Sequence, residues 1–267
     1  MKPLSELLNL RDRRILITGA AGGIGSSVAE TFAELGACVL LCDRDKAKLD
    51  TLAAHLQTQF DDCSVECHVC DLESEASRIT LFDEITVKDD SLYGLVHCAG
   101  FVGTSNLQGW VDDFEHQSLE TWRRAFEVNL TSAFHLSQLS SKLLAKSNGS
   151  IVLFSSIYGA LGPDYSLYED TEMGNPAAYA ASKGGLNQLT RWLATTLAPQ
   201  VRVNCISPGG VFRDQDERFV QRYTEKTPLA RMATETDFKG VIALLSSEAG
   251  SYITGQNLFV DGGWSSW

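Results

Sequence analysis

Arg13-Arg14-Ile15-Leu16-Ile17-Thr18-Gly19-Ala20-Ala21-Gly22-Gly23-Ile24-Gly25 runs from a short apolar strand, Arg13 to Thr18, directly into a glycine-rich turn, and a helical stretch reaching Leu35 follows it. The spacing of Gly19, Gly23 and Gly25 is G-x3-G-x-G. Residues without a Cβ let the backbone approach a pyrophosphate, and the unpaired amides and dipole at a helix N-terminus favour its charge. The segment therefore predicts the opening unit of a dinucleotide-binding sheet, with Gly19, Gly23, Ile24 and Gly25 around the phosphates. A tight turn without a ligand is the plainer alternative, and the flanking strand and helix weigh against it.

The next apolar run, Cys38-Val39-Leu40-Leu41-Cys42, ends at Asp43. The dinucleotide-binding layout places an acidic residue there, against the adenosine ribose hydroxyls. A carboxylate accepts hydrogen bonds from NAD and repels the 2′-phosphate of NADP, whereas Arg44 next door is able to grip that phosphate. The balance predicts NAD in preference to NADP. Asp43 as the start of a surface turn with Arg44 and Asp45 is the competing reading.

Tyr179-Ala180-Ala181-Ser182-Lys183 sets a phenol and an ammonium four residues apart, on one face of a helix. An isolated tyrosine has a pKa near ~10, and bringing it toward neutrality takes about 4 kcal/mol of preferential stabilisation of the phenolate. A neighbouring positive charge in a partly dry cleft supplies energy of that order. Such a pair is an acid-base device when the rest of a site surrounds it, and a chance pairing when nothing does.

The ordered set of motifs resembles the short-chain dehydrogenase/reductase family from Arg13 to the C-terminus. It comprises the glycine-rich turn, Asp71-Leu72, Cys98-Ala99-Gly100, Asn129 in Val128-Asn129-Leu130, Ser155-Ser156, Tyr179 with Lys183, and Pro208-Gly209 followed by Val211. The resemblance implies a catalytic tetrad of Asn129, Ser156, Tyr179 and Lys183. Ser156 is preferred to Ser155 because it stands three residues before Gly159. It also implies that Asp71 and Leu72 lie near the adenine, and that Cys98, Ala99, Gly100, Pro208, Gly209 and Val211 line the cofactor. Tyr179 would then exchange a proton with the substrate oxygen while Ser156 fixes that oxygen. Lys183 would hold the nicotinamide ribose and lower the tyrosine pKa, and Asn129 would anchor a water.

The implied fold is a doubly wound, parallel α/β sheet of the Rossmann type, with about seven strands and helices on both faces. Independently of the family, Asp43, Asp71, Gly100, Ser156 and Pro208 each close an apolar run, and ligands of open parallel sheets bind outside the strand ends. Amphipathic stretches such as Glu30 to Leu35, Leu119 to Leu144 and Asn187 to Leu197 alternate with those runs.

Two positions depart from the family pattern. Cys98 stands where an asparagine is common, and cannot offer an amide's paired donor and acceptor. Arg213 stands where a threonine often helps hold the nicotinamide amide, which predicts a surface residue or a fork of donors for an anionic substrate group. The segment between Ser156 and Tyr179 is also longer than the family's common spacing. An insertion of about residues 160–175 would sit over the cleft mouth, and about 211–227 would form a mobile lid. Tyr158, Asp164, Tyr165 and Arg213 are the candidate substrate contacts, since tyrosine rings stack on sugar faces and carboxylates accept hydroxyl hydrogen bonds. With Thr227-Pro228-Leu229, Arg231-Met232 and Val260-Asp261-Gly262-Gly263-Trp264, this resembles enzymes of bacterial surface-sugar and nonulosonic acid biosynthesis. A sugar or sugar-derivative substrate is the resulting expectation.

The 267 residues show no linker, repeat or charge block, so a single domain is expected. A net charge of −12 argues against a nucleic-acid or anionic membrane surface, leaving small molecules and further copies of the chain as partners. The resemblance implies a homo-oligomer, dimeric or tetrameric. No apolar run approaches the roughly 20 residues of a membrane span and no h-region follows Met1, which predicts a cytoplasmic protein. Seven cysteines, an odd number, suit buried thiols in a reducing compartment. Cys63, Cys67, His68 and Cys70 invite a metal reading, but strand alternation puts Cys67 and Cys70 on opposite faces, so no metal is expected. A silent NAD sensor would not need the tetrad, and an epimerase or dehydratase using bound NAD would need more chain after Pro208 than is present.

Overall fold

The computed structural model describes residues 1–60, 63–102 and 107–267. In chain order the elements are α1 (Leu4–Leu7), β1 (Arg14–Thr18), α2 (Gly23–Glu34), β2 (Cys38–Asp43), α3 (Lys46–Gln59), β3 (Val65–Val69), α4 (Glu75–Lys88) and β4 (Gly94–His97). They continue with α5 (Leu119–Phe126), α6 (Ser132–Ser147), β5 (Ser150–Phe154), α7 (Ala177–Leu197), β6 (Arg202–Pro208), α8 (Glu217–Lys226), α9 (Lys239–Ser246) and β7 (Asn257–Val260).

The strands form one seven-stranded sheet in the order β3-β2-β1-β4-β5-β6-β7. Every pairing in it is parallel. Parallel strands covered on both faces read as continuous apolar runs, and Ile15, Leu16 and Ile17 of β1 are all fully buried. Alternate residues serve opposite faces. Ile15 and Ile17 pack with Val28, Phe32, Leu49, Leu56, Ile242 and Leu245 from α2, α3 and α9. Leu16 packs with Leu81, Phe82, Leu136, Leu144, Leu186 and Leu193 from α4, α6 and α7. The chain thus winds outward in both directions from β1 and β4, and the reversal of strand order between them opens a crevice at the carboxyl ends.

Local signals fix the helix ends. Asp45, Ser74 and Ser118 accept from the third amide beyond them at the starts of α3, α4 and α5. Gly36, at φ +85°, closes α2 in the left-handed conformation, and Asn148 does the same for α6 at φ 51°.

The amphipathic stretch from Leu119 to Leu144 is interrupted as a regular α-helix. Residues Glu127–Thr131 form a π turn between α5 and α6, and this turn carries Asn129. A π turn rotates the following side chains relative to an α-helix and is common at functional positions. Cys67 lies on β3 with its thiol toward the Leu49 carbonyl of α3, whereas Cys70 packs in the opposite core layer with Leu40 and Leu72. Among the described residues no helix is long and apolar enough to cross a membrane.

Candidate active site

The glycines of the first turn are required for three different reasons. Gly19 adopts φ +66°, and a Cβ there would stand 2.6 Å from the Ala99 backbone after β4. A Cβ on Gly25 would run into the Gly19 carbonyl, so the first turn of α2 packs directly on the end of β1. A Cβ on Gly23 would collide with the Arg213 guanidinium and come within 2.6 Å of Glu235 Oε1. The amides of the turn itself are engaged, Ala20 with the Cys42 carbonyl, Ala21 with Asp43 and Gly22 with the Gly19 carbonyl. The first helical bond of α2 is donated by Ser26 to Gly22, so the amides left without helical acceptors are those that open α2, from Gly23 to Gly25. A cradle that any side chain would fill, opening on free amides, fits the pyrophosphate of a dinucleotide.

Asp43, at the end of β2, accepts from the Ala21 amide at 3.1 Å through Oδ2 and from the Asp45 amide at 3.2 Å through Oδ1. Its carboxylate therefore borders the glycine turn, where ribose hydroxyls of a dinucleotide would lie. Arg44 is exposed beside it. Asp71 is exposed and Leu72 is buried beyond the end of β3. Ile24 is half-buried against the α2 side of the core. Pro208 pairs with Val260 in the sheet, and a Cβ on the following Gly209 would press on Asp261 and the Tyr223 hydroxyl. Val211 bridges to Ala233 and so fixes where the chain leaves the sheet.

The four residues of the expected tetrad converge. Lys183 is buried on α7, and its ammonium donates to the Phe154 carbonyl at 2.8 Å, at the end of β5. It lies 5.8 Å from the centre of the Tyr179 ring. The Asn129 side chain accepts from the Phe101 amide at 2.6 Å and donates to Ser182 Oγ at 2.9 Å, which ties the end of β4 to α7. A Cβ on Gly100 would stand 3.6 Å from Lys183 Nζ and 3.8 Å from Asn129 Oδ1, so a small space is shared by all three.

The two serines after β5 divide their tasks. Ser155 donates to the Lys183 carbonyl at 2.8 Å and is committed to holding α7. The Ser156 hydroxyl accepts from the Tyr158 amide at 3.2 Å and bears on the Tyr179 phenol. Gly159 lets α7 approach, because a Cβ there would meet Ser155 Oγ at 2.7 Å and the Lys183 backbone at 2.8 Å.

Burial controls the electrostatics. It pushes the Tyr179 phenol above the ordinary phenol range, Ser156 opposes that shift by hydrogen bonding, and the nearby Tyr168 phenol adds to it. The expected lowering by Lys183 does not prevail, because the ammonium is turned to Phe154 and desolvation dominates. Burial likewise pulls the Lys183 ammonium down to about 8. His97, at the end of β4, is neutral: burial lowers it to about 3, helped by the Lys183 charge, and its Nδ1 lies 2.8 Å from Thr18 Oγ1.

The segments of about 160–175 and 211–227 pack as one unit, a relationship the sequence did not disclose. Leu167, Phe219, Tyr223 and Met232 are buried together, with Tyr168, Met173 and Trp264 against them. Tyr168 and Phe219 ring centres are 5.4 Å apart, and Tyr223 stacks on Trp264 at 4.4 Å. Asp164 pairs with Lys226 on α8, and Arg222 donates to the Leu167 and Glu169 carbonyls.

These contacts redistribute the four residues expected at the substrate. Tyr158 stays beside the tetrad, with its hydroxyl 2.8 Å from that of Tyr168. Asp164 is instead engaged by Lys226 and by the Ser166 amide and hydroxyl, because it caps the short turn that docks on α8. Tyr165 is 64% exposed. Arg213 lies over Gly23 and pairs with Glu235 at 2.8 Å, on the cofactor side of the crevice. Tyr168 and Asn175 are additions: both bear on the Tyr158 hydroxyl, and the buried Asn175 Oδ1 has no protein partner among the described residues.

A family model described as enoyl-(acyl carrier protein) reductase matches residues 19–265. A tropinone reductase homolog of Arabidopsis thaliana is 34% identical over 264 residues, covering 96% of this chain and 91% of its own. A short-chain dehydrogenase of Leptospira borgpetersenii, solved with bound NAD+, superposes with a TM-score of 0.85 at 32% identity, covering 99% of this chain and 96% of that one. A gluconate 5-dehydrogenase of Burkholderia cenocepacia, solved with NADP and tartrate, gives 0.84 at 25% identity, covering 99% and 100%. With one parallel sheet, a glycine cradle that fits a dinucleotide and these relatives across nearly its whole length, the chain belongs to the short-chain dehydrogenase/reductase family of NAD(P)-dependent oxidoreductases.

Proposed function

We propose that the enzyme interconverts a secondary alcohol and a ketone on a sugar or sugar derivative, with Tyr179 as acid and base and NAD as the preferred dinucleotide. The observation that carries the chemistry is the convergence of Ser156, Tyr179, Lys183 and Asn129 at the carboxyl ends of β4 and β5. When bound, the dinucleotide supplies the acceptor or donor of a hydride. The residues do the rest. Ser156 donates to the substrate oxygen and orients it toward the phenol, and Tyr179 passes its proton to that oxygen in reduction or takes it up in oxidation. A phenol held protonated by burial suits the acid role at neutral pH. Lys183 would hold the ribose hydroxyls of the bound dinucleotide, and Asn129 keeps the end of β4 in register with α7.

Asp43 beside the Ala21 amide supports NAD, since a 2′-phosphate would meet its carboxylate. The NADP-bound relative keeps the second dinucleotide in the test. For the substrate, the joined hydroxyls of Tyr158 and Tyr168 with the unpartnered Asn175 Oδ1 favour a molecule bearing several hydroxyl groups. Self-association is part of the same reading: Trp122, Phe134 and Trp192 are exposed on α5, α6 and α7, and Phe259 is exposed on the edge strand β7. The insertion of about 160–175 and the lid of about 211–227 would close over this pocket together. Absorbance at 340 nm with NAD and NADP, across sugars, sugar acids, nucleotide sugars and simple secondary alcohols, tests the reading. NADH formation confined to one hydroxylated class supports it, and reduction of cofactor only with apolar alcohols removes the sugar assignment.

A further inference from the structure

Arg213 is misplaced for a substrate ligand and well placed for another task. Its guanidinium carbon would stand 2.7 Å from a Cβ on Gly23, so it lies directly over the first residue of α2. The backbone around it is fixed. Phe212 donates to the Ala233 carbonyl at 2.9 Å, and the Arg213 amide donates to Gln215 Oε1 at 2.7 Å, while Gln215 Nε2 returns to the Val211 carbonyl at 2.7 Å. Its partner is fixed as well: Ser27 of α2 donates to the Glu235 carbonyl at 3.1 Å, so Glu235 is mounted beside the same helix end.

This arrangement puts a carboxylate at the mouth of an anion-binding cradle. Uncompensated, Glu235 Oε1 would repel a pyrophosphate seated on the turn at Gly23. Arg213 pairs with it at 2.8 Å, and both side chains remain partly exposed, at 45% and 33%. A guanidinium presents five donors in a fixed fork, so it can hold a phosphate oxygen while it still faces a carboxylate. A lysine cannot do both with the same geometry.

We propose that Arg213 is a pyrophosphate clamp for the dinucleotide, with Glu235 as the counter-ion that holds the clamp over Gly23 and sets its strength. The proposal rests on the dinucleotide-binding reading of the glycine turn and goes beyond it in assigning the lid's arginine to the cofactor instead of the substrate.

The test is equilibrium titration of the full chain with NADH, ADP and adenosine, by fluorescence for NADH and calorimetry for the others. Arg213→Ala is expected to weaken NADH and ADP about tenfold to a hundredfold and to leave adenosine unchanged. Arg213→Lys should fall between. Glu235→Gln removes both the repulsion and the hold on the clamp, so NADH affinity should move only a few-fold. Arg213→Ala with Glu235→Ala should regain only part of the loss, since the repelling carboxylate is gone but the guanidinium donors are not restored; full recovery would reduce Arg213 to a neutraliser of Glu235 and overturn the clamp. Thermal melts of each variant establish that the fold is kept. NADH affinity unchanged in Arg213→Ala, with wild-type protein binding NADH normally, overturns the clamp and leaves the cofactor site standing. An unchanged NADH affinity with a raised KM for acidic substrates overturns it in favour of a substrate role. Wild-type protein that binds neither NADH nor ADP overturns the clamp and the dinucleotide reading together.

Discussion

The Lys183 ammonium donates to the Phe154 carbonyl at 2.8 Å, across from the Tyr179 ring whose centre is 5.8 Å away. A buried ammonium held by a backbone oxygen is charged at neutral pH but poorly solvated, and burial draws its pKa from 10.5 to about 8. The carbonyl therefore keeps the lysine beside the site without committing it to another side chain.

The pH dependence follows from that shift. Lys183 carries its charge below about pH 8 and loses it as the pH rises through that value. The profile of kcat/KM reports groups of the free enzyme, so ketone reduction should decline above about pH 8. In Lys183→Arg, charged across the range, the residual activity should hold its rate to higher pH. Initial-rate profiles from pH 6 to 10 check this, and coincident limbs in both proteins would assign the decline to another group.

Gly25→Ala and Gly22→Ala make a paired steric test. A Cβ at Gly25 would run into the Gly19 carbonyl, with the Gly19 carbonyl carbon at 2.8 Å, whereas one at Gly22 would stand 3.3 Å from that oxygen. Forcing the first contact displaces backbone, and a loss of about 2 kcal/mol or more is expected, with NADH binding abolished. Gly22→Ala should cost well under half as much. Thermal and denaturant unfolding of the two variants check the order.

Dinucleotide choice should turn on Asp43. Replacing it by Ser removes the charge that faces a 2′-phosphate and loosens the turn at Ala21, whose amide donates to Asp43 at 3.1 Å. The ratio of kcat/KM for NAD over NADP should fall about tenfold or more, with Arg44 left as the neighbouring cation. An unchanged ratio would place the ribose elsewhere.

Asp164→Asn should separate stability from substrate handling. The pair with Lys226 is about 40% exposed on both sides, and exposed pairs contribute about 0–1 kcal/mol, so the melting temperature should hardly move. The same pair joins the insertion to α8, and a loosened insertion should raise the substrate KM several-fold with little change in NADH affinity. Parallel measurement of melting, KM and NADH binding checks the split.

Much of this architecture was legible because its signals are local. Ile15, Leu16 and Ile17 read as a short apolar strand, and all three are buried; Gly19, Gly23 and Gly25 read as a turn that lets the backbone approach a phosphate, and side chains would obstruct it. Tyr179 and Lys183 shared a helix face by spacing alone. Contacts between distant segments were not legible. Nothing in the run from Leu119 to Leu144 announces that five residues, Glu127–Thr131, wind as a π turn around Asn129. The docking of Leu167 and Tyr168 on Phe219 depends on the segment between Ser156 and Tyr179 meeting helix α8 in space. Arg213 was readable as a departure from the family pattern, but only the fold places it over Gly23. The sign of the Tyr179 shift also depended on burial, which spacing does not report.

Transfer of deuterium from NADH labelled at the reactive nicotinamide carbon tests the central claim most directly, with wild-type protein, Tyr179→Phe and a ketone of the hydroxylated class found active. The account predicts deuterium on the new carbinol carbon with wild-type protein. It also predicts a fall of about a hundredfold to ten-thousandfold in Tyr179→Phe, with NADH binding retained. Substrate conversion with all the label remaining on the nucleotide, or transfer at the wild-type rate in Tyr179→Phe, would contradict it.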